Sequence, residues 1–372
     1  MEALILSCGT GGGHNAAGAA IAEELKKRGH KVTMTNPYDL KNHLLASAVD
    51  KLYINIVQQI PGFFGVIYRA GDLYRRLPFR SPIYFINHNM TGAMTRFLNQ
   101  HSFDAIVVPH LYAAEILTIL KEQGQKLPPV FFLATDYTCI PFTEETDCDY
   151  VVTPSADLLE EFARWGIAQE KLYPIGIPVK SAFSDTISRR EAKEALGLSA
   201  AKRYILVAGG SVGAGKIPKI VRLLYRHYKN TNTELIVICG NNAQLYQHLT
   251  KAYAGRVHVI GHTDQMALYM RACDIVISKP GGLSSTEAAV SGTALIHITP
   301  IPGCETRNMR YFSRRGMCIP VRRIDSELLP ACRKLQRREV RKQMRRRQHA
   351  GINGSAAADI CDLMERAAGV HP

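Results

Sequence analysis

Short apolar runs recur along this chain, each closed by glycine or proline and followed by a longer amphipathic stretch. The first forty residues set the pattern. Ala3–Ser7 reads as a buried strand, Cys8–His14 (CGTGGGH) as a turn, and the alanine-rich Asn15–Arg28 as a helix that Gly29 stops. Lys31–Thr35 then alternates polar and apolar residues, as a half-buried strand does. Further strands are predicted at Ala105–Pro109, Val130–Ala134 and Tyr150–Thr153, with helical stretches between them. Such alternation predicts an α/β fold with parallel sheets.

Gly176–Phe183 interrupts the pattern as a linker, because Pro178 and the glycine stop any helix. A second round of the same plan follows. Its strands are expected at Tyr204–Ala208, Glu234–Cys239, Val257–Ile260, Asp274–Ile277 and Ala294–Ile298, the first of them running into the turn Gly209–Gly215. Two units of one plan predict two Rossmann-like domains facing a central cleft, since open α/β sheets bind ligands beyond the C-terminal ends of their strands. The boundaries are set at 1–178 for an N-terminal domain and 179–352 for a C-terminal domain. Residues 353–372 are expected as a helix packing back on the N-terminal domain.

Composition alters this picture in one respect. Apolar residues at 46% and charged residues at 21% are ordinary for a globular chain. No stretch is apolar enough to span a bilayer, and the run Ala3–Leu6 lacks the basic leader and the length of a secretory signal, so a cytoplasmic location is expected. The nine cysteines form no C-x-x-C pair, which predicts reduced thiols and no zinc site. The formal charge of +14 is the unusual property, and it points to a polyanionic partner.

Two segments concentrate that charge. Pro61–Phe85 interleaves Phe63, Phe64, Tyr68 and Phe79 with Arg69, Arg75, Arg76 and Arg80. Rings at headgroup level with arginines on anionic phosphates suit an acidic membrane surface; an aromatic core with snorkelling arginines is the plainer alternative. Near the C-terminus, Arg333/Lys334, Arg337/Arg338, Arg341/Lys342 and Arg345/Arg346 recur every four residues, a stripe that reads first as a solvated helix face and adds to membrane attraction. Nucleic acid is disfavoured, because no recognition module accompanies these segments.

Four motifs carry candidate chemistry. In the first turn, glycines including Gly12 and Gly13 allow close approach of a ligand, and the helix after it favours anionic groups. His14 stands where a dinucleotide fingerprint needs glycine, so it is either an imidazole beside a ligand or a surface histidine at a helix start. In the second, Gly210–Lys216 fits G-x-x-x-x-G-K, but Ile217 replaces the metal-binding Ser or Thr, which favours a diphosphate held by backbone N–H groups and Ser211. In the third, SKPGGLSSTE, Glu287 is either an N3 capping-box partner of Ser284 or an acceptor for ribose hydroxyls. In the fourth, PIPGCETRN, Glu305 and Asn308 lie three apart on a helix and suit sugar hydroxyls, or else a cap and a surface amide.

In this order the motifs resemble the monogalactosyldiacylglycerol synthase family and its diacylglycerol glucosyltransferase relatives. The chain is more distantly similar to the N-acetylglucosaminyltransferase of peptidoglycan lipid synthesis. The pieces are Gly11–His14, Thr135–Asp136, Gly176–Val179, Gly209–Ala214, Asp264–Met266, Lys279–Ser284 and Pro302–Asn308. The resemblance implies a GT-B fold and an inverting hexosyltransferase that moves sugar from a UDP-sugar to a lipid such as diacylglycerol, with no cofactor and no catalytic metal. It implies a peripheral position on the inner face of the cell membrane. By that resemblance His14 is the catalytic base, with Asp136 its competitor or its orienting partner. Gly210, Ser211 and Gly213 face the diphosphate, and Gly282, Leu283 and Ser284 line the phosphates. Thr263 reads uracil beside His262, Glu287 takes the ribose, and Glu305 and Asn308 face the donor sugar.

Departures from the family pattern fall at Cys304, usually Gln, at His262, often aromatic, and at Tyr137–Phe142, where the family places His and Trp. The same fold also suits a UDP-sugar 2-epimerase, which needs no lipid-facing patch, or a basic membrane-binding protein without catalysis. Retention of His14, Glu287, Glu305 and Asn308 speaks for the enzyme.

Overall fold

The computed structural model describes residues 1–9, 12–41, 61–211, 213 and 215–370, with the side chains of 61–64 and 67 outside that description. The described residues form two parallel six-stranded sheets. The first contains β1 (Glu2–Leu6), β2 (Lys31–Thr35), β3 (Ala105–Val108), β4 (Val130–Leu133), β5 (Tyr150–Val152) and β6 (Leu172–Tyr173), in the order β2-β1-β3-β4-β5-β6. The second contains β7 (Arg203–Ala208), β8 (Thr233–Ile238), β9 (His258–Ile260), β10 (Ile275–Ser278), β11 (Ala294–Ile298) and β12 (Ile319–Val321), in the order β12-β11-β10-β7-β8-β9. Strand order therefore reverses between β1 and β3, paired as Ile5 with Val107, and between β7 and β10, paired as Ala208 with Ser278. Crossover connections leave opposite faces of the sheet at such a point and open a crevice beyond the strand ends.

The chain divides into two compact units. One comprises Met1–Lys180 with Pro302–Cys304 and Ser355–Pro372, the other Ser181–Ile301 with Glu305–Gly354. In the first, Ile5, Val107, Phe131 and Leu133 of the sheet pack with Ile21 and Leu25 of the helix Gly12–Lys27. The C-terminal helix Ala356–Ala367 adds Ile360, Cys361 and Met364 to this core. It is also pinned by charge. Arg28 Nη1 lies 2.6 Å from Asp362 Oδ1 and 2.8 Å from Glu365 Oε2, and His30 Nε2 lies 2.7 Å from Glu365 Oε1.

Three details differ from the sequence expectation. The first helix begins at Gly12 rather than Asn15, because first-turn N–H groups have no intrahelical partner to lose and tolerate glycine. Strands β6 and β12 are only two and three residues long, too short for any periodicity to reveal. The basic stripe at 333–346 is not one helix: the chain breaks at Arg337 (φ −73°, ψ 120°) between helices Ile324–Gln336 and Arg338–Gly351. Arg341 folds back there and donates to the carbonyls of Leu335 (2.6 Å) and Gln336 (2.9 Å), so it closes a helix C-terminus instead of lying on a solvated face.

Ile360 is wholly buried among residues of the first sheet. Ile360→Ala should lower the stability of this unit by about 2–5 kcal/mol through the cavity it leaves. The single tryptophan, Trp165, belongs to the same unit, so its fluorescence in a urea titration isolates the effect. An unshifted midpoint would show that the C-terminal helix contributes nothing to this core.

Candidate active site

In the first unit, β1 and its neighbour β3 deliver two histidines to the same crevice. His14 sits half-buried in the first turn of the helix that follows β1, with Gly12 and Gly13 beside it. Pro109 follows β3, and His110 caps the helix Leu111–Glu122 by accepting the Tyr112 N–H at Nδ1 (3.1 Å). His14 Nδ1 lies 2.7 Å from the Pro109 carbonyl oxygen and 3.0 Å from Thr135 Oγ1. A carbonyl can only accept, so Nδ1 carries the proton and Nε2 of the neutral ring holds the lone pair.

Burial lowers the His14 pKa below the ordinary 6.5, while the Asp136 charge and the Pro109 carbonyl pull it back upward. The His110 ring stands edge-on to His14 with centroids 4.4 Å apart. Burial first and the nearby His14 second push the pKa of His110 well below 6.5, so it is a neutral ring protonated on Nε2. His110 escaped sequence reasoning. The available signal was its place, the first residue after a proline-ended strand and the opening of a helix, the same strand-to-helix position that singled out His14.

In the second unit, the turn after β7 is locked to the loop after β8. Gly213 has φ +57°, and a Cβ there would stand 2.2 Å from the Cys239 carbonyl oxygen. Gly240 has φ +58°, and its Cβ would stand 2.4 Å from the Ser211 carbonyl oxygen. Asn241 N–H donates to Ser211 O (2.8 Å), and Asn242 Nδ2 donates to Gly213 O (3.2 Å). Glycine at 213 thus serves backbone packing, while Gly210 is half-buried and Ser211 exposed on the turn.

Beside it, β10 is followed by Lys279-Pro280-Gly281, and Gly281 (φ −66°, ψ 143°) caps the helix Gly282–Val290. The capping-box alternative for Glu287 therefore fails: Ser284 already lies inside the helix, and Glu287 lies in its second turn. Gly282, Leu283, Ser285 and Thr286 are buried, whereas Ser284 and Glu287, three apart, are half-exposed on one face. Ser285 Oγ donates to Gly281 O (2.7 Å) and accepts from His297 Nε2 (2.9 Å). Burial pushes His297 down to about 3, so this relay is neutral and holds the cap in place.

The remaining donor-side residues divide. His262 is exposed, and Thr263 Oγ1 accepts the Gln265 N–H (3.1 Å) in a local turn. Asn308, expected to face the donor sugar, is wholly buried, and its Nδ2 donates to the Pro280 carbonyl (3.0 Å). Its spacing from Glu305 serves instead to fasten the helix Cys304–Arg314 to the Lys279–Gly281 turn. Glu305 is nearly buried, with Oε1 3.1 Å from Lys279 Nζ and Oε2 accepting the Ile301 N–H (2.7 Å).

The aromatic and basic segment is also divided. Arg75, expected at a membrane-facing surface, is buried: Nε and Nη2 grip Glu144 at 2.9 and 2.5 Å, and the guanidinium lies 3.5 Å over the Trp165 ring. Sequence could not reveal partners that lie about seventy residues away or more. Arg69 and Arg76 are exposed and Tyr68 half-buried, while the side chains of Phe63 and Phe64 lie outside the described residues. In the same segment Val66, Leu73, Leu77, Phe79, Phe85 and Ile86 are 48–67% exposed, six of the eight large apolar side chains that stand exposed among the described residues. No helix among the described residues is long and apolar enough to cross a membrane.

Residues 14–179 match the family model of monogalactosyldiacylglycerol (MGDG) synthase, and residues 204–364 match the glycosyltransferase family 28 C-terminal domain. The chain is similar to the processive diacylglycerol beta-glucosyltransferase of Bacillus pumilus, at 24% identity over 371 residues that cover 98% of this chain and 94% of that one. In fold it is similar to MurG of Acinetobacter baumannii, with a TM-score of 0.62 at 17% identity, covering 98% of this chain and 99% of that one. It is likewise similar to the UDP-GlcNAc 2-epimerase of Neisseria meningitidis bound to UDP-GlcNAc, with a TM-score of 0.63 at 15% identity, covering 98% and 100%. Two parallel sheets of this order and these likenesses make the architecture GT-B. The two family regions follow one another along nearly the whole chain, which resembles the MGDG synthase-type glycosyltransferases in its N-terminal part and the family 28 glycosyltransferases in its C-terminal part.

Proposed function

We propose that this enzyme transfers a hexose from a UDP-sugar to a membrane lipid such as diacylglycerol, with inversion at the anomeric carbon and no catalytic metal. The carrying observation is His14, whose Nδ1–H is committed to the Pro109 carbonyl so that Nε2 is the acceptor of a proton. In an inverting displacement the acceptor hydroxyl attacks the anomeric carbon and yields its proton to a base within hydrogen-bond reach. His14 Nε2 takes that proton, and the Asp136 charge, which raises the His14 pKa, stabilises the imidazolium as it forms. UDP departs with the bonding electrons. Its growing negative charge meets the N–H groups at the start of the helix Gly282–Val290 and the Gly210–Ser211 turn. Glu287 takes the ribose hydroxyls, and Ser284, on the same half-exposed face, lines the phosphates.

The exposed apolar surface from Val66 to Ile86 favours a lipid acceptor over the epimerase alternative, which has no use for it. With Arg69 and Arg76 exposed among these residues, it suits insertion at the headgroup level of an anionic leaflet, the inner face of the cell membrane.

A panel of UDP-sugars presented with mixed lipid vesicles should give lipids heavier by hexose units in mass spectrometry. His14→Ala should lower the turnover roughly 10²–10⁴-fold, the usual worth of a general base, with UDP affinity unchanged. Lipids of unaltered mass with every donor would remove the proposed function, and full turnover in His14→Ala would remove the base.

The pH profile carries a second test. A histidine with a lowered pKa stays neutral to more acid pH, so the acid limb of kcat/KM should fall below 6.5. Asp136→Asn removes a charge that raises this pKa and should move the limb further toward acid. A limb that moves toward alkali instead would contradict the pairing.

Sedimentation with vesicles tests the membrane surface. Binding should rise with anionic lipid and weaken with salt, since exposed charges are screened beyond roughly 10 Å at 0.1 M. Phe79→Ser with Phe85→Ser should reduce it on every vesicle. Equal binding to neutral and anionic vesicles at all salt levels would rule out the electrostatic contribution.

A further inference from the structure

The second unit holds an ion pair that joins Glu305, expected at the donor sugar, to Lys279, which has no role in the scheme above. Lys279 and Glu305 are almost enclosed, at 12% and 11% side-chain exposure, with Nζ 3.1 Å from Oε1. Glu305 Oε2 meanwhile holds the Ile301 N–H, so this carboxylate ties the end of β10 to the loop after β11. That loop is under strain. Thr299 has φ +39°, a left-handed conformation costly for a β-branched residue, and its enclosed Oγ1 has no hydrogen-bond partner among the described residues. Such conformations persist only where the surroundings hold them, and they gather at sites that change state on binding.

The glycine turn reaches the same place. A Cβ on Gly215 would stand 3.6 Å from Thr299 Oγ1 and 3.9 Å from Lys279 Cδ. The Lys279 stem therefore runs beside the turn that faces the diphosphate. Among the described residues Glu305 is the partner of an ammonium that has three protons to donate. A phosphate offers this ammonium more charge and more acceptor oxygens than one carboxylate oxygen does.

We propose that the sugar-bearing phosphate of the donor takes Lys279 from Glu305, and that this hand-over releases the Glu305 carboxylate to accept hydroxyls of the donor sugar. The proposal rests on the nucleotide-sugar reading above. It gives the site a way to tell donor from product. An intact UDP-sugar satisfies both groups at once, whereas UDP engages Lys279 and deprives Glu305 Oε1 of its cation. After transfer the ion pair re-forms, and UDP is released.

Calorimetry with UMP, UDP and a UDP-hexose tests this on the full chain. Lys279→Met should weaken UDP binding about ten- to hundred-fold, the value of a hydrogen bond to a charged group, and leave UMP binding unchanged, which also verifies folding. Lys279→Arg should retain most of the UDP affinity. Glu305→Gln should bind UDP more tightly than the native chain and lose the preference for UDP-hexose over UDP. The hand-over is wrong if Lys279→Met binds UDP normally, or if Glu305→Gln weakens UDP binding as Lys279→Met does, since the pair is then only structural. A native chain that binds no UDP overturns the donor assignment itself, and the hand-over with it.

Discussion

A parallel strand cannot reach its neighbour by a hairpin, so every strand of these two sheets ends on the same edge and every connection crosses a face. The polar ends of the chain's turns are thereby collected on one edge of each sheet. Reversal of strand order between β1 and β3, and again between β7 and β10, parts the connections and opens room beyond those ends. The chemically distinctive residues stand at these two reversals. His14 follows β1 and His110 follows β3; the Gly209–Gly215 turn follows β7 and Lys279–Gly281 follows β10.

What keeps these ends in place is hydrogen bonding by groups that have no water to turn to. The Pro109 carbonyl fixes the His14 tautomer, His297 and Ser285 fix the Gly281 cap, and Asn308 fixes the Pro280 carbonyl. Each is a buried or half-buried polar group held by specific partners, and leaving such a group unsatisfied costs about 1–3 kcal/mol. The glycine turn is held differently, by backbone contacts so close that a side chain at 213 or 240 would overlap a carbonyl oxygen. Rigidity of this kind lets a backbone N–H meet a phosphate without reorganising.

Much of this was legible in the sequence. β2 and β11 fall on the residues their patterns predicted, because alternation and buried apolar runs report local burial directly. The two glycine turns and the SKPGG segment declared themselves by composition. Roles that depend on distant residues did not. Arg75 looks like its exposed neighbours Arg69 and Arg76 until Glu144 and Trp165 close around it. Asn308 looks like a ligand group until the Pro280 carbonyl takes its amide. His110 carries no glycine signature, and only the pairing of β1 with β3 brings it against His14. Sequence spacing identified which residues share a helix face; it could not say what that face meets.

The central claim is a single displacement in which His14 Nε2 receives the acceptor proton while UDP leaves from the opposite side of the sugar. Its stereochemistry is the most direct evidence. Proton NMR of the glycolipid made from an α-linked UDP-hexose should show a β-anomeric linkage, the mark of one inversion. An α-linkage would contradict the account, because retention requires a second displacement or a different path for the acceptor that a lone base at His14 does not provide.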